Sequence, residues 1–141
     1  FELFKFKTML DNLDLPEKER ITNLGKFLRK YKLDELPQII NIFFGNMSFI
    51  GPRPLLVEYD NLYDSRQNNR FKVLPGITGL SQIKVNSKYL NNWKIRINFD
   101  LVYIKKISFK LDMHIFIQTA IIIFKLIINK SKYIEDFEKF K

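Results

Sequence analysis

Apolar residues along this chain change their rhythm several times, and each change marks an element. Ile21, Leu24, Phe27, Leu28 and Tyr31 recur at helical spacing and define one face. "DLPEKER" just before them reads as a helix start, with Asp14 as cap, Pro16 in the first turn and Glu17 completing a capping box. Gly25 weakens that helix slightly, and Lys26, Arg29 and Lys30 give it a basic side. A second helix is expected from about Asp34 through "PQIINIFF" to a stop at Gly45, with Pro37 tolerated in its first turn. In "WKIRINFDLVYIKK", Trp93, Ile97, Leu101 and Ile104 form a third stripe.

The last apolar run, Ile115 to Ile128, is hydrophobic almost all round except for a line of His114, Gln118 and Lys125. Its 14 residues fall short of the roughly 18–20 that a spanning helix needs. It is therefore read either as buried core or as a helix lying at a membrane interface.

Extended segments are fewer. "FELFKFKTM" is aromatic-rich and reads as a short strand with Lys5 and Lys7 on one face. "FKVLPGITGLSQIKV" has turn chemistry at Pro75-Gly76 and at Gly79 among β-branched residues, so a small hairpin or a paired extended segment is expected. The stretch from Tyr59 to Arg70 is polar and helical to loop-like, "NSKYLNN" is loop, and residues 130–141 form a charged tail. No repeat or low-complexity linker divides the chain. The fold class is α+β, a mostly helical single domain over residues 1–141 with a small β element.

Composition narrows the chemistry. With 46% hydrophobic and 15% aromatic residues, a disordered chain is excluded. The absence of cysteine and the single histidine exclude thiolate and multi-histidine zinc sites, so any metal must take oxygen ligands, which suits Mg2+. A net charge of +9 favours acidic partners: nucleic acid, anionic lipid or a phosphorylated substrate. Enrichment in Lys, Asn and Ile explains the same charge without any partner.

Three features carry candidate chemistry. Asp34 and Glu35 stand together at a helix amino end, where free amides favour anions; capping explains Asp34 but says less about Glu35. Arg53 sits between Pro52 and Pro54 after Gly51, so its backbone is pre-set to grip a phosphate. Asp100 falls within the apolar stripe of its helix, either salt-bridged in the core or turned into a cleft.

The blocks "KFKTM", "RKYKLDELPQIINIFFGNMSFIGPRPLL", "KVLPGITGLSQI" and "FDLVYIKKISFKLD" occur in order, and together they resemble the bacterial sugar transferase family, the small monotopic phosphoglycosyl transferases. The likeness runs from about Phe4 to about Leu126. It implies an enzyme that moves a phospho-sugar from a UDP-sugar to polyprenol (undecaprenyl) phosphate at the cytoplasmic face of the bacterial inner membrane, releasing UMP. It implies that Asp34 is the nucleophile, forming a phosphosugar-aspartate intermediate, and that Glu35 is its partner, the two also holding Mg2+. Lys5, Arg29, Arg53 and Asp100 are assigned by the same likeness to substrate binding, Arg53 within the uridine-diphosphate loop.

Two departures stand out. Members carry a hydrophobic re-entrant helix and a basic segment before the "KFKTM"-like block, so this chain, opening at Phe1, is expected to be an N-terminally truncated catalytic domain. The family's P-G-I-T-G-W-x-Q-V-N-G-R reads here with Leu80 in place of the tryptophan and "KVNSKY" in place of N-G-R, with Lys84 or Lys88 as substitutes for the arginine. Two competing readings are a basic nucleic-acid module and a non-catalytic membrane-surface domain. No recognition-helix or RNP-like pattern is present, so no nucleic-acid partner is expected; an anionic membrane surface is.

Overall fold

The computed structural model describes residues 1–55, 63–84 and 92–128. The expectations for Lys88, for most of "NSKYLNN" and for the charged tail lie outside the described residues. The elements are α1 (Glu17–Arg20), α2 (Asn23–Lys30), a 3-10 turn (Leu33–Glu35), α3 (Gln38–Phe43), β1 (Ser48–Ile50), a 3-10 helix (Gln67–Lys72), β2 (Gly76–Thr78), α4 (Leu80–Lys84), α5 (Trp93–Lys105) and α6 (Phe109–Ile128). This is the mostly helical α+β class expected.

The first long helix of the sequence reading is in fact two. Pro16, not Asp14, occupies the cap position of α1, without a side-chain cap bond. Thr22 breaks the run: its amide donates to the Thr8 carbonyl at 3.1 Å, and its hydroxyl accepts from Gly25 N at 2.9 Å to cap α2. The break lets the chain pair with the N-terminal segment, where Met9 and Ile21 form an isolated antiparallel bridge. That bridge is all the strand character residues 1–10 have. Lys5 and Lys7 accordingly part company, Lys5 pairing with Glu35 and Lys7 with Asp11. Gly25 is less a weak spot than a requirement, because a Cβ there would lie 2.1 Å from the Thr8 carbonyl oxygen.

The helix expected from Asp34 starts later. Lys32 takes a left-handed conformation (φ 60°) and turns the chain into the short 3-10 segment, and α3 begins only at Gln38, after Pro37. Gly45 then ends it with φ 75°, in the position where glycine is favoured.

Of the two forms left open near Pro75, the paired extended segment is the one found. β1 and β2 run parallel, with Ser48 opposite Gly76 and Ile50 opposite Thr78. Parallel neighbours need a crossover, and the chain between them supplies the 3-10 helix at Gln67–Lys72. Glycines permit the close approach: a Cβ on Gly76 would sit 2.1 Å from Gly51 N, and one on Gly51 2.4 Å from the Leu74 carbonyl oxygen.

Leu80, Tyr103 and Ile115 form the centre of the core, with Ile50, Ile83, Phe99, Ile104 and Leu111 around them. Among the described residues six hydrophobic side chains are buried against eight polar or charged ones, so bonded polar groups share the work of holding the elements together. α6 differs most from the sequence reading. It begins at Phe109 and runs for 20 residues, including an 18-residue stretch of mean hydropathy 1.9, long and apolar enough by length and composition to cross a membrane. It is not core, since Ile115 is its one buried residue. Phe109, Phe116, Ile117, Phe124 and Ile128 are exposed, while Thr119 hydrogen-bonds Thr78 at 2.7 Å and ties the helix to β2.

Replacing Gly76 by Ala puts a methyl group into the β1–β2 backbone contact, where no side chain can yield. It should destabilise the fold by about 1–3 kcal/mol, measured by urea unfolding, whereas Gly45→Ala, in open space, should cost about 1 kcal/mol through its positive φ alone.

Candidate active site

The site is assembled from five separate stretches of the chain. Asp34 and Glu35 lie on the 3-10 turn after Lys32, so two carboxylates are presented side by side on a tight bend. The N-terminal segment is drawn against this turn by backbone and amide bonds: Phe6 N donates to the Asp34 carbonyl at 3.0 Å, Phe4 N to Asn41 Oδ1 at 3.0 Å, and Asn41 Nδ2 to the Glu2 carbonyl at 2.7 Å. Lys5 is thereby brought to 3.6 Å from Glu35 Oε1.

Arg53 approaches from the loop after β1. Its guanidinium donates to both oxygens of Glu35, to Oε1 through Nη2 and to Oε2 through Nη1 at 3.4 Å. The loop is clamped by Gly51 N donating to the Thr78 carbonyl and Gly76 N to the Pro52 carbonyl, each at 2.9 Å. Arg53 is also held by its own carbonyl, which accepts from Arg70 Nη2 at 2.6 Å. Arg70, buried on the 3-10 helix, reaches Asp100 Oδ2 at 3.3 Å and Tyr63 Oη at 2.9 Å. A continuous line thus runs from Lys5 through Glu35, Arg53 and Arg70 to Asp100.

Charge and burial set the two acids apart. Burial pushes the Glu35 carboxyl up, but the charge and hydrogen bond of Arg53, with the charges of Lys5 and Lys32, outweigh it and hold the group below its ordinary 4.5. For Asp100 burial wins: the group is pushed up to about 6, against the pull of the Ser81 hydroxyl, Arg70 and Arg96. The approach of Ser81 falls short of hydrogen-bond geometry, so Asp100 Oδ1 and Ser81 Oγ are both buried without a bonded partner. They line a narrow cleft with Arg53, Arg70, Trp93 and Arg96. Burial and the neighbouring charges of Arg53 and Arg70 lower Arg96 from its ordinary value, with only Asp100 opposing them. Asp34 Oδ1 is likewise buried and unbonded.

Of the residues singled out in the sequence, Lys5, Asp34, Glu35 and Arg53 come together, and Asp100 joins them through Arg70. Arg29 does not enter the line: its Nε donates to Thr8 Oγ1 at 2.9 Å, fastening α2 to the N-terminal segment. Asp100 combines both of its readings, a salt bridge within the interior and an oxygen turned into a cleft. Arg70, Ser81 and Arg96 were not singled out. The signal for the arginines was Asp100 itself, since an acid on an apolar stripe calls for a cation, but nothing in the sequence says which.

Among the described residues no group of three acidic or histidine side chains could hold a metal. Mg2+ commonly takes only one or two carboxylates and completes its shell with water and phosphate oxygens. Asp34, with an unbonded buried oxygen, fits that part; Glu35 fits it only when its oxygens are released by Arg53.

Paired carboxylates beside lysine and arginine, on a small α+β scaffold, are side-chain chemistry suited to phosphate groups. The profile of the bacterial sugar transferase family matches residues 1–126, and the chain belongs to that family. It is 42% identical over 125 residues to the uncharacterized sugar transferase EpsL of Bacillus subtilis (strain 168), covering 85% of this chain and 61% of that protein. It is 46% identical over 120 residues to a UDP-glucose:undecaprenyl-phosphate glucose-1-phosphate transferase of Klebsiella pneumoniae, and 41% identical over 120 residues to one of Escherichia coli (strain K12). Each of these alignments covers 81% of this chain and 25% of the relative's length.

The two shifted acids of the site, Glu35 and Asp100, should oppose each other in pH-dependent stability. Glu35, depressed in the fold, stabilises fully above 4.5, and that contribution is lost as pH falls through its lower folded value. Asp100 keeps a proton in the fold between 3.8 and about 6 that the unfolded chain has released, so stability falls as pH rises through that window. In thermal melts, Asp100→Asn should remove the falling step and leave the acid limb, while Glu35→Gln should shrink the acid limb alone. A falling step that survives Asp100→Asn would belong to another group.

Proposed function

We propose that this chain is the catalytic domain of a phosphoglycosyl transferase that moves a sugar phosphate from a UDP-sugar to polyprenol phosphate. The observation carrying the reading is Asp34 Oδ1, a buried carboxylate oxygen with no bonded partner beside a second carboxylate already neutralised by Lys5 and Arg53. The names of the Klebsiella and Escherichia relatives support the substrate classes.

Asp34 attacks the sugar-bearing phosphorus of the UDP-sugar. The bond from that phosphorus to the bridging oxygen breaks, UMP leaves with the electron pair, and a phosphosugar-aspartate remains. An oxygen of polyprenol phosphate then attacks the same phosphorus and releases the Asp34 carboxylate, giving a polyprenyl diphospho-sugar. A carboxylate suits both steps because its mixed anhydride with phosphate forms and breaks readily. Lys5 and Arg53 offset the charge of the diphosphate, Arg53 exchanging Glu35 for phosphate oxygens as the donor binds. Asp34 and the freed Glu35 would be the residues to hold Mg2+, which when bound would supply charge neutralisation for the phosphate oxygens and the leaving UMP. Asp100 positions Arg70, and through its carbonyl bond the backbone of Arg53.

The acceptor is a lipid, and the exposed apolar length of α6 supports a site at the membrane surface. We place that surface on the cytoplasmic face, where UDP-sugars are made, with α6 lying against lipid and the positive net charge toward anionic headgroups.

UMP release should be followed with a panel of UDP-sugars, Mg2+ and polyprenol phosphate in detergent. One or more sugars should support release, and Asp34→Asn should lower it by at least about a thousandfold while the melting curve is preserved. Release that persists in Asp34→Asn would overturn the nucleophile assignment.

A further inference from the structure

A second groove lies between the 3-10 helix Gln67–Lys72 and α5, and shares no lining residue with the Asp100 cleft. Its volume is about 240 Å³, and it is lined by Arg66, Asn69, Lys72, Leu101, Ile104 and Lys105. The pattern has a simple origin. A 3-10 helix repeats every three residues, so Arg66, Asn69 and Lys72 stack on one face; Arg66 is helical in its backbone (φ −73°, ψ −41°) and extends the ladder. Arg70 belongs to a different face and points inward to Asp100. On α5, Leu101, Ile104 and Lys105 fall at the i, i+3, i+4 spacing of one face. The result is an apolar floor with three cations on its rim.

None of those cations forms an ion pair among the described residues, although Lys5, Lys7, Arg53 and Arg70 all do. Uncompensated cations call for a polyanion or a phosphate, and the apolar floor calls for attached hydrocarbon. We propose that this groove is a binding site for the phosphate headgroup of an anionic membrane lipid, distinct from the site that carries Asp34. Arg66, Lys72 and Lys105 take the phosphate, and Leu101 and Ile104 meet the first methylenes of the lipid. The inference does not rest on the proposed transferase activity.

The test compares the full chain with Arg66→Gln/Lys72→Gln/Lys105→Gln and with Lys18→Gln/Lys26→Gln/Lys94→Gln, a control that removes the same charge from exposed positions elsewhere. Binding is measured by flotation with phosphatidylcholine vesicles, with and without phosphatidylglycerol. The groove variant should lose the gain due to phosphatidylglycerol by at least about fivefold relative to the control, with binding to phosphatidylcholine alone unchanged. Equal losses in the two variants, or none in the groove variant, would overturn the site. As a measurement needing no variant, amide shifts at Asn69, Leu101 and Ile104 are followed by NMR with short-chain phosphatidylglycerol or with inorganic phosphate. Saturation by the lipid at the lower concentration supports the assignment; equal saturation by phosphate would reduce the groove to a small-anion site.

Discussion

Arg53 is bonded at both ends, and the geometry of the candidate site depends on that. Its guanidinium closes on Glu35, which brings the acidic turn and the G-P-R-P loop together, while its carbonyl takes a bond from Arg70. A buried ion pair is weak evidence of stability in itself, because desolvation offsets much of the attraction. Its value here is positional: without Arg53, Glu35 would keep only Lys5 as its partner and the loop would lose its tie to the acidic turn. The loop can hold the arginine in place because two prolines restrict it and two glycines let it lie directly on β2.

The network also explains how a modest core suffices. Few apolar side chains are buried, and a large share of the apolar surface is displayed on α6 instead. Polar groups bridge distant stretches: Asn41 to the first residues, Thr22 to Thr8, Arg70 to Asp100, Thr119 to Thr78. Such bonds are individually small but expensive to leave unmade once buried. They fix where the catalytic candidates stand more sharply than a larger hydrophobic interior would. Among the described residues the buried oxygens of Asp34, Ser81, Gln82 and Asp100 are the unbonded exceptions; Asp100 ends the line of charges from Lys5, and Asp34 stands next to its member Glu35.

The sequence by itself determined the helical stripe of α5, the stop at Gly45, an extended segment at Pro75, and the blocks that mark the family. These are local or compositional properties: a three-to-four spacing, a glycine free to take positive φ, an ordered set of short motifs. Asp100 was legible as an anomaly for the same reason, an acid on an apolar stripe. Only the tertiary structure decided who answers it, since Arg70 lies 30 residues away and Arg96 was an equal candidate by charge. It likewise split the first helix at Thr22, because a bond to Thr8 outweighs helix continuation there, and moved Asp34 and Glu35 from a helix cap to a 3-10 turn. Whether β2 paired in parallel or as a hairpin, whether α6 was core or surface, and whether Arg29 joined the site all turned on contacts between residues far apart in the chain. Periodicity reports the environment that a side chain prefers; it carries no information about which distant group supplies it.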